Sequence, residues 1–180
     1  MVKEPKILAI DPATSTGYAI YNGCGLGDKK EIKSNIESGT WKCGTCQMDE
    51  SSDMRLIRLE SHLNKISEHL GGIDIVVFEA ARNMAIKSQR ALVVHAELQS
   101  IIKKWCMSNK VPYKGYSPVE IKKHATGSGA AKKEEMVKAA KEKYGVKTET
   151  NDEADALCLL YLAIEQYSKT KITINPEWIT

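Results

Sequence analysis

Short apolar runs bounded by glycine, proline or acidic residues recur along the chain, and longer segments with helical periodicity lie between them. The short runs are typical of strands, and they lie at 6–11, 17–22, 36–41, 73–79 and 111–116. Apolar residues at helical spacing predict helices at 53–70, 85–107, 130–144 and 152–167, and a short helix from residue 118. Three successive strands followed by alternating helices and strands predict an α/β fold, in which helices flank a mixed sheet of about five strands.

Capping and terminating residues mark several helix ends. Ser52 or Asp53 is a candidate N-cap for the first long helix, and Gly71-Gly72 stops it. Ser117, Pro118 and Glu120 follow the order of N-cap, first-turn proline and capping-box acid. This pattern predicts a helix start at that point.

The composition is that of one globular domain. At 180 residues, with 42% hydrophobic and 27% charged residues, the chain is large enough to bury a single core. No apolar run approaches the roughly 18 residues that span a bilayer, and the N-terminus lacks the pattern of a signal peptide. We therefore expect a cytoplasmic protein (host cytoplasm if phage-encoded), with no membrane partner and with its five cysteines reduced.

Positive charge is concentrated in one quarter of the chain. The formal net charge is only +3, but the segment 101–145 contains eleven lysines and four glutamates, a local net charge of +7. Such an excess suits a polyanion such as nucleic acid. A solvated face of surface helices, where lysine and glutamate mix, is the alternative.

Four carboxylates lie at the ends of apolar segments. Asp11 ends the first predicted strand, Glu79 ends the fourth, and Asp152 and Asp155 lie three residues apart at the start of the last helix. Each has an ordinary structural explanation. Asp11 can open an Asp-Pro turn, and Glu79 can pair with Arg82. Asp152 and Asp155 can serve as the N-cap and as a first-turn acid.

The joint arrangement of the four acids predicts a metal site. If the first and fourth strands are neighbours, Asp11 and Glu79 share one end of the sheet, and the helix can bring Asp152 and Asp155 alongside. Grouped carboxylates repel one another, and divalent cations are the usual compensation. Oxygen ligands favour Mg²⁺ or Mn²⁺ over zinc, and four carboxylates can hold two Mg²⁺ roughly 4 Å apart, as in two-metal phosphodiester chemistry.

The same residues carry a resemblance to a known family. The string ILAIDPATSTGYAI, from Ile7 to Ile20, resembles the opening of RuvC-type Holliday junction resolvases of the RNase H-like superfamily. DEADAL, from Asp152, is similar to their terminal acidic motif, and VVFE, ending at Glu79, fits their second acid. IKKHATGSGAAKK, ending at Lys133, is similar to their basic stretch. The motifs occur in the family's order, and the resemblance extends from about residue 6 to 167.

The resemblance implies a RuvC-like nuclease domain at 1–168, with a C-terminal tail at 169–180. By position, the implied catalytic residues are the four acids, as metal ligands, and two lysines near the scissile phosphate: Asp11, Glu79, Asp152, Asp155, Lys122 and Lys133. Lys123 and Lys132 are adjacent to these lysines, so a shift of one residue is an open alternative. The resemblance also implies two Mg²⁺ per active site, with Mn²⁺ as a substitute. The implied substrate is a four-way DNA junction, cut symmetrically to leave 5′-phosphate ends by a two-fold homodimer.

The chain departs from the family after the second acid. An aromatic residue that wedges into the junction is usual there, whereas this chain has AARNM at 80–84. Arg82 or Met84 is expected to stack beside a base instead, which predicts relaxed selectivity among branched DNAs. Further DNA contacts are expected from side chains near the acids and in the basic stretch, and the full set is Arg82, Asn83, Lys87, Lys123 and Lys132.

Two other functions share part of this pattern. A ribonuclease H acting on RNA–DNA hybrids is the nearest alternative, and the DEADAL ending and the lysine stretch favour the resolvase. An actin-like phosphate-binding protein opens with a similar acid, turn and strand, but that fold needs two such domains and the chain has length for one.

Two further features of the sequence are a pair of cysteines and an apolar stretch in the second long helix. Cys43 and Cys46 form a C-x-x-C without a second ligand pair nearby, although Cys24 and His62 or His69 are available. Zinc binding, a redox or intersubunit role and plain loop cysteines are all open, and the last is favoured. The apolar stretch at 91–94, continued by Leu98 and Ile102, is expected to supply both core and dimer contacts.

Overall fold

A computed structural model describes residues 4–23, 34–44, 51, 53–80 and 89–168. The strands are β1 (Ile7–Asp11), β2 (Ser15–Tyr21), β3 (Ile36–Lys42), β4 (Ile75–Glu79) and β5 (Tyr113–Tyr116). The helices are α1 (Met54–Leu70), α2 (Gln89–Ser108), α3 (Pro118–Thr126), α4 (Lys133–Tyr144) and α5 (Asn151–Ser168). The predicted tail at 169–180 lies outside the described residues.

The strands form one mixed sheet in the order β3-β2-β1-β4-β5. The strands β1, β2 and β3 pair antiparallel, as expected for consecutive strands joined by short connections. The strands β4 and β5 run parallel to β1, each reached through a helix. The prediction of an α/β fold with a mixed sheet of about five strands is confirmed.

The core has two layers, one on each face of the sheet. Alternate side chains of β1 point to opposite faces, so Ile7 and Ala9 pack with α3, α4 and α5, whereas Leu8 and Ile10 pack with α1 and α2. The segment of α5 from Ala156 to Leu160 is wholly buried. This explains why its sequence is more continuously apolar than that of a surface helix.

Most predicted element ends lie within two residues of the observed ones. The predicted start of the second long helix, at residue 85, lies outside the described residues. The capping box is confirmed: Ser117 Oγ accepts a hydrogen bond from the backbone N–H of Glu120, whose carboxylate accepts one from the N–H of Ser117. Gly71 ends α1 with a φ of 62°. Asp53 precedes α1, but its side chain makes no capping hydrogen bond. The helix predicted from residue 130 begins three residues later, because Lys132 is extended at the N-cap of α4.

None of the helices in the described ranges has the length and apolarity needed to cross a membrane.

Candidate active site

Two of the four predicted acids lie side by side at one end of the sheet. The strands β1 and β4 are parallel neighbours, and Ile10 is paired with Phe78. The next residue on each strand is an acid, so Asp11 and Glu79 leave the sheet at the same edge. Both are partly buried. The expectation that these strands are neighbours is confirmed.

The start of α5 brings the other two acids to this edge. Asp152 and Asp155 lie in its first two turns, and both are partly buried. The helix approaches β2 so closely that a Cβ atom built on Gly17 would be 1.9 Å from the backbone oxygen of Asp152. Gly17 is paired with Asp11 across β1 and β2. A residue without a side chain at this position therefore lets α5 reach the acids.

The start of α5 is held in place by side chains for which the sequence predicted no role. Glu153 is buried; its carboxylate accepts hydrogen bonds from the Ser38 hydroxyl and from the backbone N–H of Glu149, each at 2.7 Å. The Thr150 hydroxyl accepts from the N–H of Glu153 at 3.1 Å and lies 2.8 Å from the Thr40 hydroxyl. The side chain that caps the helix is thus Thr150, and the alternative of Asp152 as N-cap is wrong, because Asp152 is already inside the helix.

The carboxylates interact electrostatically as one group. Burial, reinforced by Glu79, Asp155 and Asp152, raises the pKa of Asp11 well above its ordinary value. Burial followed by repulsion from Asp155 raises the pKa of Glu79 to about 7. Burial also raises the pKa of Asp155 to about 6, against the opposing effect of Lys133. These shifts mean that ionising the whole group is costly without added positive charge.

One lysine of each adjacent pair faces the acids. Lys122, on α3, and Lys133, at the start of α4, both lower the pKa values of Glu79 and Asp155. Lys123 and Lys132 do not contribute to these shifts. Of each adjacent pair, Lys122 and Lys133 are thus the lysines whose charges act on the acids.

A histidine that sequence reasoning missed also lies at the site. Asp11, Glu79 and His95 each offer a ligand atom, and these atoms all lie within 4.8 Å of one another. His95 is on α2, and burial lowers the pKa of its imidazole. A lone histidine in a helical segment carries no motif, so only the packing of α2 against the sheet reveals it.

The donor set fits a divalent cation. Asp11, Glu79 and His95 have ligand atoms within 4.8 Å of one another, and Asp152 and Asp155 are close enough to act electrostatically on Asp11. With the two lysines included, the group has a net negative charge when it is ionised. Carboxylate oxygens suit Mg²⁺ and Mn²⁺, and an added imidazole is compatible with the latter. The raised carboxylate pKa values are those of a site that gains from a bound cation.

Several predicted residues lie outside the described part of the chain. They are Arg82, Asn83, Met84, Lys87, Cys24 and Cys46. Cys43 is described, and it is buried in the core with its sulfur 3.5 Å from the Thr16 hydroxyl. His62 stacks on Trp41, at 5.0 Å between ring centroids. Both side chains thus have ordinary packing roles in the structure.

Comparison with known proteins identifies relatives of one kind. No protein-family model matches the chain. The crossover junction endodeoxyribonuclease RuvC of Caldicellulosiruptor saccharolyticus is 28% identical over 159 residues, which cover 86% of this chain and 89% of that protein. RuvC of Thermus thermophilus in complex with a Holliday junction substrate superposes with a TM-score of 0.71 at 18% identity, over 93% of this chain and 98% of that one.

The yeast mitochondrial Holliday junction resolvase Ydc2 is a more distant structural neighbour. It superposes with a TM-score of 0.58 at 14% identity, over 87% of this chain and 76% of that one. A second Thermus thermophilus RuvC structure gives a TM-score of 0.66 at 19% identity, over 90% of this chain and 97% of that one. In sequence, this chain is similar to a RuvC protein, and its fold is that of the solved RuvC structures.

Proposed function

We propose that this protein is a metal-dependent, structure-selective endonuclease that resolves four-way DNA junctions by symmetric phosphodiester hydrolysis, leaving 5′-phosphate ends. The observation that carries the proposal is the meeting of Asp11, Glu79, Asp152 and Asp155 with two lysines at one sheet edge, in a chain whose relatives are RuvC proteins. Cutting of other branched DNA follows from the absence of an aromatic residue at 80–84.

The four acids and the two lysines have different roles in this proposal. Asp11, Glu79, Asp152 and Asp155 hold Mg²⁺, two ions per site, for which Mn²⁺ substitutes. Bound Mg²⁺ supplies an activated water and stabilises the leaving oxygen. Lys122 and Lys133, whose charges act on Glu79 and Asp155, stabilise the negative charge that develops on the phosphate. The acids must be ionised for these roles, and the lysines favour that state.

DNA binding extends from this edge over the basic part of the chain. Lys123 and Lys132 are exposed on either side of the turn between α3 and α4, where phosphates can reach them. We assign them to the DNA backbone, together with Arg82, Asn83 and Lys87. Such contacts position the duplex without reading its sequence. The whole nuclease domain is 1–168, and it acts in the cytoplasm of its cell or host.

A two-fold homodimer places one active site on each of two equivalent strands of a junction. Exposed apolar side chains on α1 and α2 support this: Ile57, Leu92 and Val93 are 60%, 42% and 53% exposed. The apolar stretch of α2 was expected to supply both core and dimer contacts. Its later residues, Leu98 and Ile102, are buried in the core and are not available for a dimer contact. We therefore assign the dimer contact to the N-terminal half of α2.

Gel cleavage of synthetic substrates tests the proposal. A four-way junction and an RNA–DNA hybrid are incubated with the protein in Mg²⁺ and then in EDTA. Symmetric nicks in the junction that depend on Mg²⁺ are the expected result. Cutting of the hybrid alone would favour the ribonuclease H alternative, and Mg²⁺-independent cutting would contradict the metal role.

Substitution of single acids tests the ligand assignment. Asp155→Asn is expected to abolish cutting while retaining junction binding in a gel-shift assay, because the amide removes a charge without changing shape. Asp53→Asn is the matched control, since Asp53 is an exposed acid that precedes α1 and is not one of the four proposed ligands. Should Asp155→Asn cut at the wild-type rate, the assignment of this ligand is wrong.

A further inference from the structure

His95 is held in a fixed orientation beside the two strand-end acids. Its Nδ1 lies 2.7 Å from Nε2 of Gln99, one turn along α2. The same amide nitrogen donates to the backbone carbonyl of Glu79, at 3.3 Å. Gln99 is buried, so this link ties the imidazole to the end of β4. The other ring nitrogen, Nε2, makes no hydrogen bond within the part of the chain that the structure describes.

The imidazole and the carboxylates surround a common space. Their ligand atoms lie within 4.8 Å of one another. Among the residues that the structure describes, however, no hydrogen bond or ion pair joins the His95 ring to Asp11 or Glu79. Groups that shared a proton would be in direct contact. A separation of this size instead suits three ligands around one ion, each at about 2.0 to 2.3 Å from it.

We propose that His95 is a nitrogen ligand of the metal ion held by Asp11 and Glu79. The inference rests on the proposed function only in placing a divalent ion at these acids. Ligation of a metal through Nε2 requires that the ring proton be on Nδ1. After a half-turn of the Gln99 amide, its Oε1 can accept a hydrogen bond from that Nδ1–H. The half-turn gives up the hydrogen bond to the Glu79 carbonyl, and a small shift of the Gln99 side chain must accompany it to keep the two oxygens apart.

A nitrogen ligand changes which metal the site prefers. A set of carboxylates alone suits Mg²⁺, whereas imidazole suits transition metals and is a poor ligand for Mg²⁺. The ion at Asp11 and Glu79 is therefore expected to be bound more tightly as Mn²⁺ than as Mg²⁺. A second ion held by Asp152 and Asp155 has no such nitrogen in the described residues and keeps the ordinary oxygen preference.

Pulsed electron paramagnetic resonance on the full chain loaded with Mn²⁺ detects such a ligand directly. The protein is prepared with natural histidine and with ¹⁵N-labelled histidine, and Mn²⁺ is added without DNA. We expect a directly coordinated imidazole nitrogen whose signal changes with the label. His95→Gln is expected to lose the signal and His69→Gln, at an exposed histidine, to retain it. The wild-type spectrum alone is informative, so the test does not depend on the folding of a variant.

Junction cutting by the same samples separates this inference from the proposed function. Cutting by wild-type protein whose bound Mn²⁺ shows no histidine nitrogen overturns the role of His95 and leaves the nuclease proposal standing. A nitrogen signal that persists in His95→Gln also overturns it. A histidine signal that is lost in His95→Gln, in protein that cuts no junction, supports the ligand and contradicts the nuclease. Both the signal and the cutting are expected in wild-type protein.

Discussion

Gly17 is the residue at which a one-atom change tests how the site is assembled. A Cβ atom there would be 1.9 Å from the Asp152 backbone oxygen, whereas real contacts of this kind are not shorter than 3.0 Å. In Gly17→Ala, the start of α5 must therefore move away from β2 by at least about 1 Å. The neighbouring atom is backbone, so no side chain can rotate aside. We expect a loss of stability of about 1–3 kcal/mol, as in other overpacked cores.

The effect on cutting is expected to exceed the effect on stability, because the shift displaces Asp152 and Asp155 relative to Asp11. A misplacement of about 1 Å can cost about 10²-fold in rate. Single-turnover junction cutting is measured beside urea unfolding. Gly44→Ala is the matched control, since its added Cβ would meet Thr14 at an ordinary 3.4 Å. A Gly17→Ala protein with wild-type stability and rate would refute the close approach of α5 to the sheet.

Three further predictions concern charge and metal at the site. Lys133→Ala is expected to slow single-turnover cutting by about 10²-fold or more while weakening junction binding little. Lys132→Ala, at an exposed lysine, is expected to affect binding alone. Equal losses of rate and affinity in Lys133→Ala would mean that Lys133 is only a phosphate contact. The metal-free protein is expected to lose on the order of 3 kcal/mol of stability as pH rises from about 4.5 to 7. The pKa values of Glu79 and Asp155 in the folded state are raised to about 7 and about 6. The folded state therefore binds more protons than the unfolded state in that pH range, and it loses this advantage as pH rises. Urea unfolding in EDTA at both ends of the range measures this, and a stability that rises with pH would contradict it. Added Mg²⁺ is expected to raise the calorimetric melting temperature of the wild type and not of Asp11→Asn, and equal rises would place the ion elsewhere.

The sequence predicted the parts of the site that lie in regular patterns. Asp11 and Glu79 each end an apolar run, so strand assignment alone placed them at strand ends, and parallel pairing of β1 with β4 then brings them together. The spacing of Asp152 and Asp155 placed both on one helix. The capping box at Ser117 was visible because its two residues are only three positions apart and their hydrogen bonds are local.

The parts that escaped prediction depend on contacts between distant segments. Gly17 looked like an ordinary strand residue, and its role depends on the path of α5, more than 130 positions later. His95 has no spacing relation to the acids, because its position is set by how α2 packs over β1 and β4. Glu153 lies between two predicted metal ligands, yet it turns away from them to Ser38 on β3. Its partners are distant in sequence, so no local pattern indicated what it binds.

The metal-free site weakens the fold that carries it, and α5 explains how the fold tolerates this. Ionising Asp11, Glu79 and Asp155 together opposes folding, because burial and mutual repulsion raise all three pKa values. The helix that brings two acids to the site also buries every side chain from Ala156 to Leu160, against the sheet and the neighbouring helices. Each fully buried leucine contributes about 1.5–3 kcal/mol. Burial of the apolar part of α5 thus holds its acidic start in place against the repulsion.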